Sequence, residues 1–307
     1  MSEVVNLDPG RARRAEKREQ GSRTALVLGG GGFTGGVYEI GALRALDLLA
    51  VNRTVNEFDV YVGTSADDLR LLERELHITA TDLDTTERIV FGSGEWSDVP
   101  ISKAVSASGA LPTVFTPVEI EGREFIDGGI RSTTNVDIAV QHGAKFIVVV
   151  NPIVPYVNDF SKQIPTLMGS RARRVSDMGV AGIGNQAFRI LSHDRLHRTG
   201  KEWERTYPGV DFILIEPELD NELMFGTSIL DYSARLKIAK HGFGSVTLRL
   251  ARDYDRYKEV AERHGIEISA RRVQHVLDQV EDQSEESPAW RRIFEQTTGA
   301  LLGQSGD

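Results

Sequence analysis

Three stretches of this chain carry groups able to do chemistry, and their order matters. The first is a glycine run, Gly29 to Gly32, continued by Phe33, Thr34 and Gly35. A glycine turn ahead of a helix aims several main-chain N–H groups at one point, beside the positive end of the helix dipole. Such a cradle holds a phosphate or the oxyanion of an acyl-transfer intermediate; a turn serving only tight packing is the plainer alternative. The second is Gly63-Thr64-Ser65-Ala66-Asp67. A serine on a sharp strand-to-helix turn is a nucleophile elbow, and small neighbours let the turn tighten. The usual G-x-S-x-G has glycine where Asp67 stands, and Gly-Thr-Ser by itself also suits a loop or helix cap. The third is Asp127-Gly128-Gly129. A serine hydroxyl needs a base, usually histidine, but none of the histidines sits in a recognisable catalytic motif. A carboxylate touching Oγ can do the same work where its site tunes its basicity. Aspartate followed by two glycines gives an open turn that another loop can approach, although Asp-Gly turns are common.

Each stretch needs an element to position it. Residues 24–28 read as a buried strand ahead of the glycines, and Val37 to Ala50 reads as a helix after them. A second strand, Phe58 to Val62, leads to Gly63. A short helix over 67–76 has Leu69, Leu72 and Leu76 on one stripe, and a third strand covers Ile78 to Leu83. Residues 101–110 read as helix. A hairpin with arms near Val118–Ile120 and Glu124–Ile126 turns at Glu121-Gly122 and delivers Asp127. A helix over Val136 to His142 feeds a strand over Lys145 to Val150. Strands alternating with helices predict an α/β sheet covered on both faces. From about 165 to 285 the pattern is mostly helical, broken by a strand over Asp211 to Ile215.

Gly30 to Gly35 also fits G-x-G-x-x-G, the dinucleotide pattern. A nucleotide site would next need a strand ending in an acidic residue for a ribose. The next strand here ends in Gly63-Thr64-Ser65, so a Rossmann reading stands well behind. Composition narrows the field further. The chain has 307 residues, 36 Lys+Arg against 45 Asp+Glu, and a net charge of −9. An acidic chain argues against general nucleic-acid binding. The absence of cysteine removes disulfides, thiolate catalysis and cysteine-ligated metal sites, and fits a reducing compartment. No run approaches the roughly 18 apolar residues of a membrane span, and residues 1–23 lack an apolar signal core. A cytoplasmic location, peripheral at the membrane, is expected.

Together the three features resemble one family, the patatin-like phospholipases, which are serine lipid acyl hydrolases. The resemblance runs from about Ala25 to Pro152. It includes Gly30-Gly31-Gly32, Gly63-Thr64-Ser65-Ala66, Ile78-Thr79-Ala80-Thr81-Asp82-Leu83, and Ala107-Ser108-Gly109-Ala110-Leu111-Pro112 with Phe115-Thr116-Pro117-Val118. Asp127-Gly128-Gly129 follows, then Gly143-Ala144 before the strand into Asn151-Pro152. The resemblance implies a three-layer α/β/α sandwich with a Ser–Asp dyad. Ser65 would be the nucleophile, Asp127 the base, and the backbone N–H groups of Gly30, Gly31 and Gly32 the oxyanion hole. It implies fatty acyl esters of lipids as substrates, and no metal or other cofactor. Two departures stand out. The family carries Arg or Lys after its glycine triplet, where this chain has Phe33-Thr34. The connection from Ser65 to Ile78 is also at the floor for a crossover between parallel strands. This spacing predicts that residues are absent between Ala66 and Asp67. A catalytically impaired lipid- or protein-binding scaffold is the alternative function.

The expected organisation is a basic, flexible arm over 1–23, one hydrolytic domain with helical C-terminal decoration over 24–290, and a polar tail over 291–307. The basic Arg11-Ala12-Arg13-Arg14 suits a solvated tail or a contact with anionic lipid. A helix after Arg171–Arg174, with Val175, Met178, Ile183, Ala187, Ile190 and Leu191 near one side, is expected to pack on the sheet or to lie on a membrane surface. The stretch from Glu218 to Phe225 reads as a loop or as lining for an acyl pocket. The sequence is silent on oligomeric state.

Overall fold

The computed structural model describes residues 22–63, 74–112, 114–158, 164–165, 171–226 and 232–281. Its centre is an eight-stranded sheet. In space the order is β10 (Asp211–Ile215), β7 (Phe146–Val150), β1 (Thr24–Leu28), β2 (Val60–Gly63), β3 (Glu75–Asp82), β6 (Arg123–Asp127) and β5 (Val118–Ile120), with β4 (Arg88–Phe91) also paired to β3. The five strands from β10 to β3 are mutually parallel, while β4 and β6 run antiparallel to β3. A two-residue ribbon, β8 (Ile164–Pro165) with β9 (Arg171–Ala172), lies off the sheet.

Strand period 2 sorts the core into two layers. Leu26, Leu28, Tyr61, Val148 and Ile215 face one side, against α1 (Gly32–Leu49) and α7 (Arg235–Arg252). Ala25, Val27, Val60, Ile147 and Val149 face the other, against α3 (Val136–Gln141) and Leu196 of α4 (Gly179–Gly200). The result is the three-layer α/β/α sandwich. A third cluster joins β3, β4 and β6 to α2 (Ile101–Ser108) through Ile78, Phe91, Trp96, Ala104 and Phe125. Helices α1 and α7 pack at backbone distance: a Cβ on Gly41 would fall 2.1 Å from the Ala239 carbonyl oxygen.

Several boundaries differ from the sequence pattern. Helix α1 begins at Gly32, not Val37, because tertiary packing overrides the poor helix propensity of its glycines. Strand β3 begins at Glu75, so Leu76 belongs to a strand and not to the end of a helix. Pairing of Glu75 with Val60 and Leu76 with Tyr61 outweighs the local leucine spacing; Leu69 and Leu72 lie outside the described residues. Strand β4 was not expected at all. Val175 and Met178 form a separate 3₁₀ turn before α4. The hairpin is as expected, with Glu121 and Gly122 both left-handed at φ 53° and 78°, the signature of a tight twisted turn. Four further helices lie among the described residues: α5 (Trp203–Thr206), α6 (Glu222–Gly226), α8 (Tyr254–Arg263) and α9 (Ala270–Glu281).

Candidate active site

Strand register puts Leu28, Gly63, Ile78, Val150 and Ile215 at one level across the sheet. From β1 the chain winds to β2 and β3 on one side and to β7 and β10 on the other. The carboxyl edge between β1 and β7 is thus a topological switch point, where α/β sheets open a crevice for ligands.

The glycine run lies at that point. The Gly29 N–H donates to the Val150 oxygen at 2.8 Å, and Gly35 N–H to the Gly31 oxygen at 3.0 Å. Gly31 adopts φ 140°, and a Cβ there would meet Gly35 Cα at 2.9 Å and Pro152 Cγ at 3.2 Å. The spacing that imitates a dinucleotide motif is therefore a packing requirement between the loop, the first turn of α1 and Pro152. No side chain caps the N-terminus of α1 at Gly31. Beneath the loop sits Glu39, 3% exposed, with Oε1 lacking a hydrogen-bond partner. Burial pushes its carboxyl well above the usual carboxylate range, and a hydrogen bond with the Gly29 backbone opposes this only in part. Sequence reasoning passed over Glu39; a carboxylate among Val37, Tyr38 and Ile40 was its only signal.

Asp127 ends β6, paired with Ala80, two residues beyond the level of Ile78 and Gly63. It is 4% exposed, and hydrogen bonds fix it from several sides. The Gly129 N–H donates to its Oδ1 at 2.6 Å, its own N–H donates to the Ala110 oxygen at 3.1 Å, and Thr81 Oγ1 donates to its carbonyl at 3.2 Å. Ser108 Oγ reaches the Thr79 carbonyl at 2.6 Å. The Ala107–Pro112 and Ile78–Leu83 motifs thus hold Asp127 from two sides. A Cβ on Gly128 would lie 2.4 Å from the Thr79 oxygen, so only glycine lets the turn after Asp127 close on β3. Arg195 of α4 donates to the carbonyls of Ile130 and Arg131 at 3.2 and 2.6 Å. Asp82, in the same region, caps residues 84 and 85 and takes Arg123 Nε at 2.6 Å. Burial works to raise its carboxyl, but the Thr85 and Arg123 bonds prevail and hold it below the usual range.

Of the expected site residues, Gly30, Gly31, Gly32 and Asp127 are described. Ser65 and the Ala66–Asp67 junction lie outside the described residues. Because β3 starts at Glu75, only residues 64–74 join β2 to its parallel neighbour.

Two histidine clusters were missed by sequence reasoning. His193 and His197, one turn apart on α4, meet Glu216 just beyond β10, with His197 Nε2 2.9 Å from Glu216 Oε2. Asn151 Nδ2 donates to the other Glu216 oxygen at 2.8 Å. Burial, then the neighbouring His197, lowers the His193 imidazole below its usual range. At the opposite, amino edge of the sheet, Glu75 and His77 of β3 meet His142 at the end of α3. The expected acyl-pocket stretch is ordered around Arg189. Its guanidinium donates to the Val154 and Met224 carbonyls at 3.0 and 2.9 Å and lies over Phe225, which stacks on Tyr156. An apolar cavity of about 80 Å³, lined by Leu46, Leu49, Phe58, Phe146 and Leu250 among others, lies at the amino edge and not at the glycine loop.

A family model described as patatin-like phospholipase matches residues 68–140. The matched segment contains Asp127 but neither the glycine run nor Ser65. A solved structure, that of VipD from Legionella pneumophila, is similar at 12% identity and a TM-score of 0.27. The likeness covers 75% of this chain and 49% of VipD, so this chain spans about half the length of that protein.

Proposed function

We propose that the chain is a serine lipid acyl hydrolase acting on fatty acyl esters through Ser65 and Asp127. The observation that carries the reading is the placement of Asp127. Its carboxylate is buried, oriented by the Gly129 N–H, and held at the carboxyl edge of the sheet. Its partner Ala80 is two residues past the level of Gly63, and Ser65 follows Gly63 by the same two residues in sequence. In the proposed cycle Asp127 takes the Ser65 proton as Oγ attacks the ester carbonyl. Main-chain N–H groups at Gly30, Gly31 and Gly32 meet the developing oxyanion, one such donor being worth about 3–4 kcal/mol. The alcohol or lysolipid leaves with the proton, and water then releases the fatty acid from the acyl-enzyme. The resemblance implies that no metal takes part in this cycle.

Helix α4 carries an exposed apolar face that supports peripheral contact with lipid. Val180, Ile183, Ile190 and Leu191 are 87, 48, 49 and 66% exposed and, with Ala187, form one stripe; Arg189 and Leu196 occupy the buried side. Among the described residues no helix is long and apolar enough to cross a membrane. We assign the stripe to peripheral contact with a lipid surface.

Hydrolysis of a short-chain nitrophenyl ester, with labelling by a fluorophosphonate, tests the dyad. Ser65→Ala abolishes both turnover and labelling. Asp127→Asn reduces turnover by at least about 10²-fold with the melting temperature retained. Full activity in either variant refutes the assignment. The impaired-scaffold reading draws on the short 64–74 connection and on a family match that begins only at residue 68. It predicts no labelling of the wild-type protein while lipid binding persists.

A further inference from the structure

We infer that Glu75, His77 and His142 form an open, three-ligand site for a divalent transition metal of the zinc class, at the sheet edge opposite the candidate active site. The argument starts with His77. It is 2% exposed, and neither ring nitrogen has a hydrogen-bond partner among the described residues. A neutral imidazole carries one N–H donor and one acceptor, and a folded chain seldom leaves both buried and unused. Strand period 2 puts Glu75 on the same face of β3 as His77. His142 comes from the C-terminus of α3, and its ring lies 4.0 Å from that of His77 between centroids. Glu75 Oε2 is 3.0 Å from His142 Nδ1 and 4.0 Å from His77 Nε2. All three donors lie within 4.8 Å of one another.

A tetrahedral cation with bonds of about 2.0–2.1 Å needs donors roughly 3.3 Å apart. The donors, within 4.8 Å of one another, would have to draw together by up to roughly 1.5 Å. Two imidazoles and one carboxylate, with the fourth position open to water, suit zinc, cobalt or nickel and not magnesium or calcium. The usual outer support is present too: the Arg23 guanidinium pairs with Glu75 Oε1, orienting the carboxylate and leaving Oε2 on the imidazoles. A bound cation would tie the start of β3 to the end of α3 and to the residue preceding β1.

The test is titration of untagged full-length protein with cobalt(II) and zinc(II), followed by visible absorption, calorimetry and thermal melting. One cobalt per chain with a tetrahedral d–d spectrum is expected, displaced by zinc, together with a rise in melting temperature on zinc addition. His142→Ala, at a half-exposed position, loses the spectrum and the rise; Glu75→Gln weakens binding by at least about tenfold. His193→Ala leaves both intact. The inference is overturned if wild-type protein takes up no stoichiometric metal. It is equally overturned if binding survives His142→Ala and disappears in His193→Ala, which would move the ion to the cluster on α4.

Discussion

Glu39 and Asp127 are both buried carboxyls near the carboxyl edge, but their hydrogen-bonding surroundings differ. Asp127 accepts the Gly129 N–H at 2.6 Å. Glu39 has one oxygen without any partner, and desolvation dominates, so it stays protonated far above the ordinary value of 4.5. Linkage fixes the sign of the consequence. A raised folded-state value gives stability that is complete below about pH 4.5 and is lost as pH climbs toward the folded value, because the unfolded chain ionises first. Glu39→Gln removes that ionisation and keeps the shape. Thermal melts of both proteins across a pH series should coincide in acid and diverge toward neutrality, with the glutamine variant melting higher. Parallel curves at every pH would show that Glu39 is not held neutral.

At the scale of elements, what positions the site is contact between main chains. Helix α1 carries the glycine loop at one end and lies on α7 along its length. The close approach at Gly41 and at Gly242, where a Cβ would fall 2.4 Å from the Tyr38 oxygen, sets how near the two helices come. Gly41→Ala places a methyl group 2.1 Å from a fixed carbonyl and not against a movable side chain. The expected cost is about 1–3 kcal/mol, typical of an overpacked core, and urea unfolding measures it. Because α1 also bears the loop, ester hydrolysis should fall more in this variant than in one equally destabilised within α9. Equal losses of activity would uncouple the helix contact from the loop. On the other side of the sheet, α4 joins its Arg195 clamp on the turn after Asp127 to an outward apolar stripe. The proposed lipid face and the clamp on the turn after the candidate base thus share one helix.

For the molecule as a whole, the sequence exposes what is local and hides what topology assembles. Strands β1, β7 and β10 are contiguous apolar runs, and the β5–β6 hairpin carries its own turn chemistry, so each is readable without knowledge of the rest. The glycine run and Asp127-Gly128-Gly129 are readable for the same reason, since close main-chain approach demands glycine within the motif itself. The Arg195 clamp and both histidine clusters depend on partners 19 to 67 residues away, and strand β4, the true start of β3 and Glu39 depend on nearer pairings that no spacing rule reveals. Charge is a whole-molecule property that the sequence does show, and it bears on the lipid face. A chain of net charge −9 approaches an anionic bilayer against repulsion, while the α4 stripe supplies an uncharged attraction. Binding to zwitterionic vesicles should therefore change little with salt. Binding to anionic vesicles should be weaker in dilute buffer and recover as ionic strength rises and the Debye length shrinks to about 8 Å near physiological salt. Ile190→Asp should weaken both without altering hydrolysis of a soluble ester. Sedimentation with vesicles of the two compositions decides the matter: tighter binding to the anionic ones at low salt would hand the contact to a local basic patch and not to the stripe.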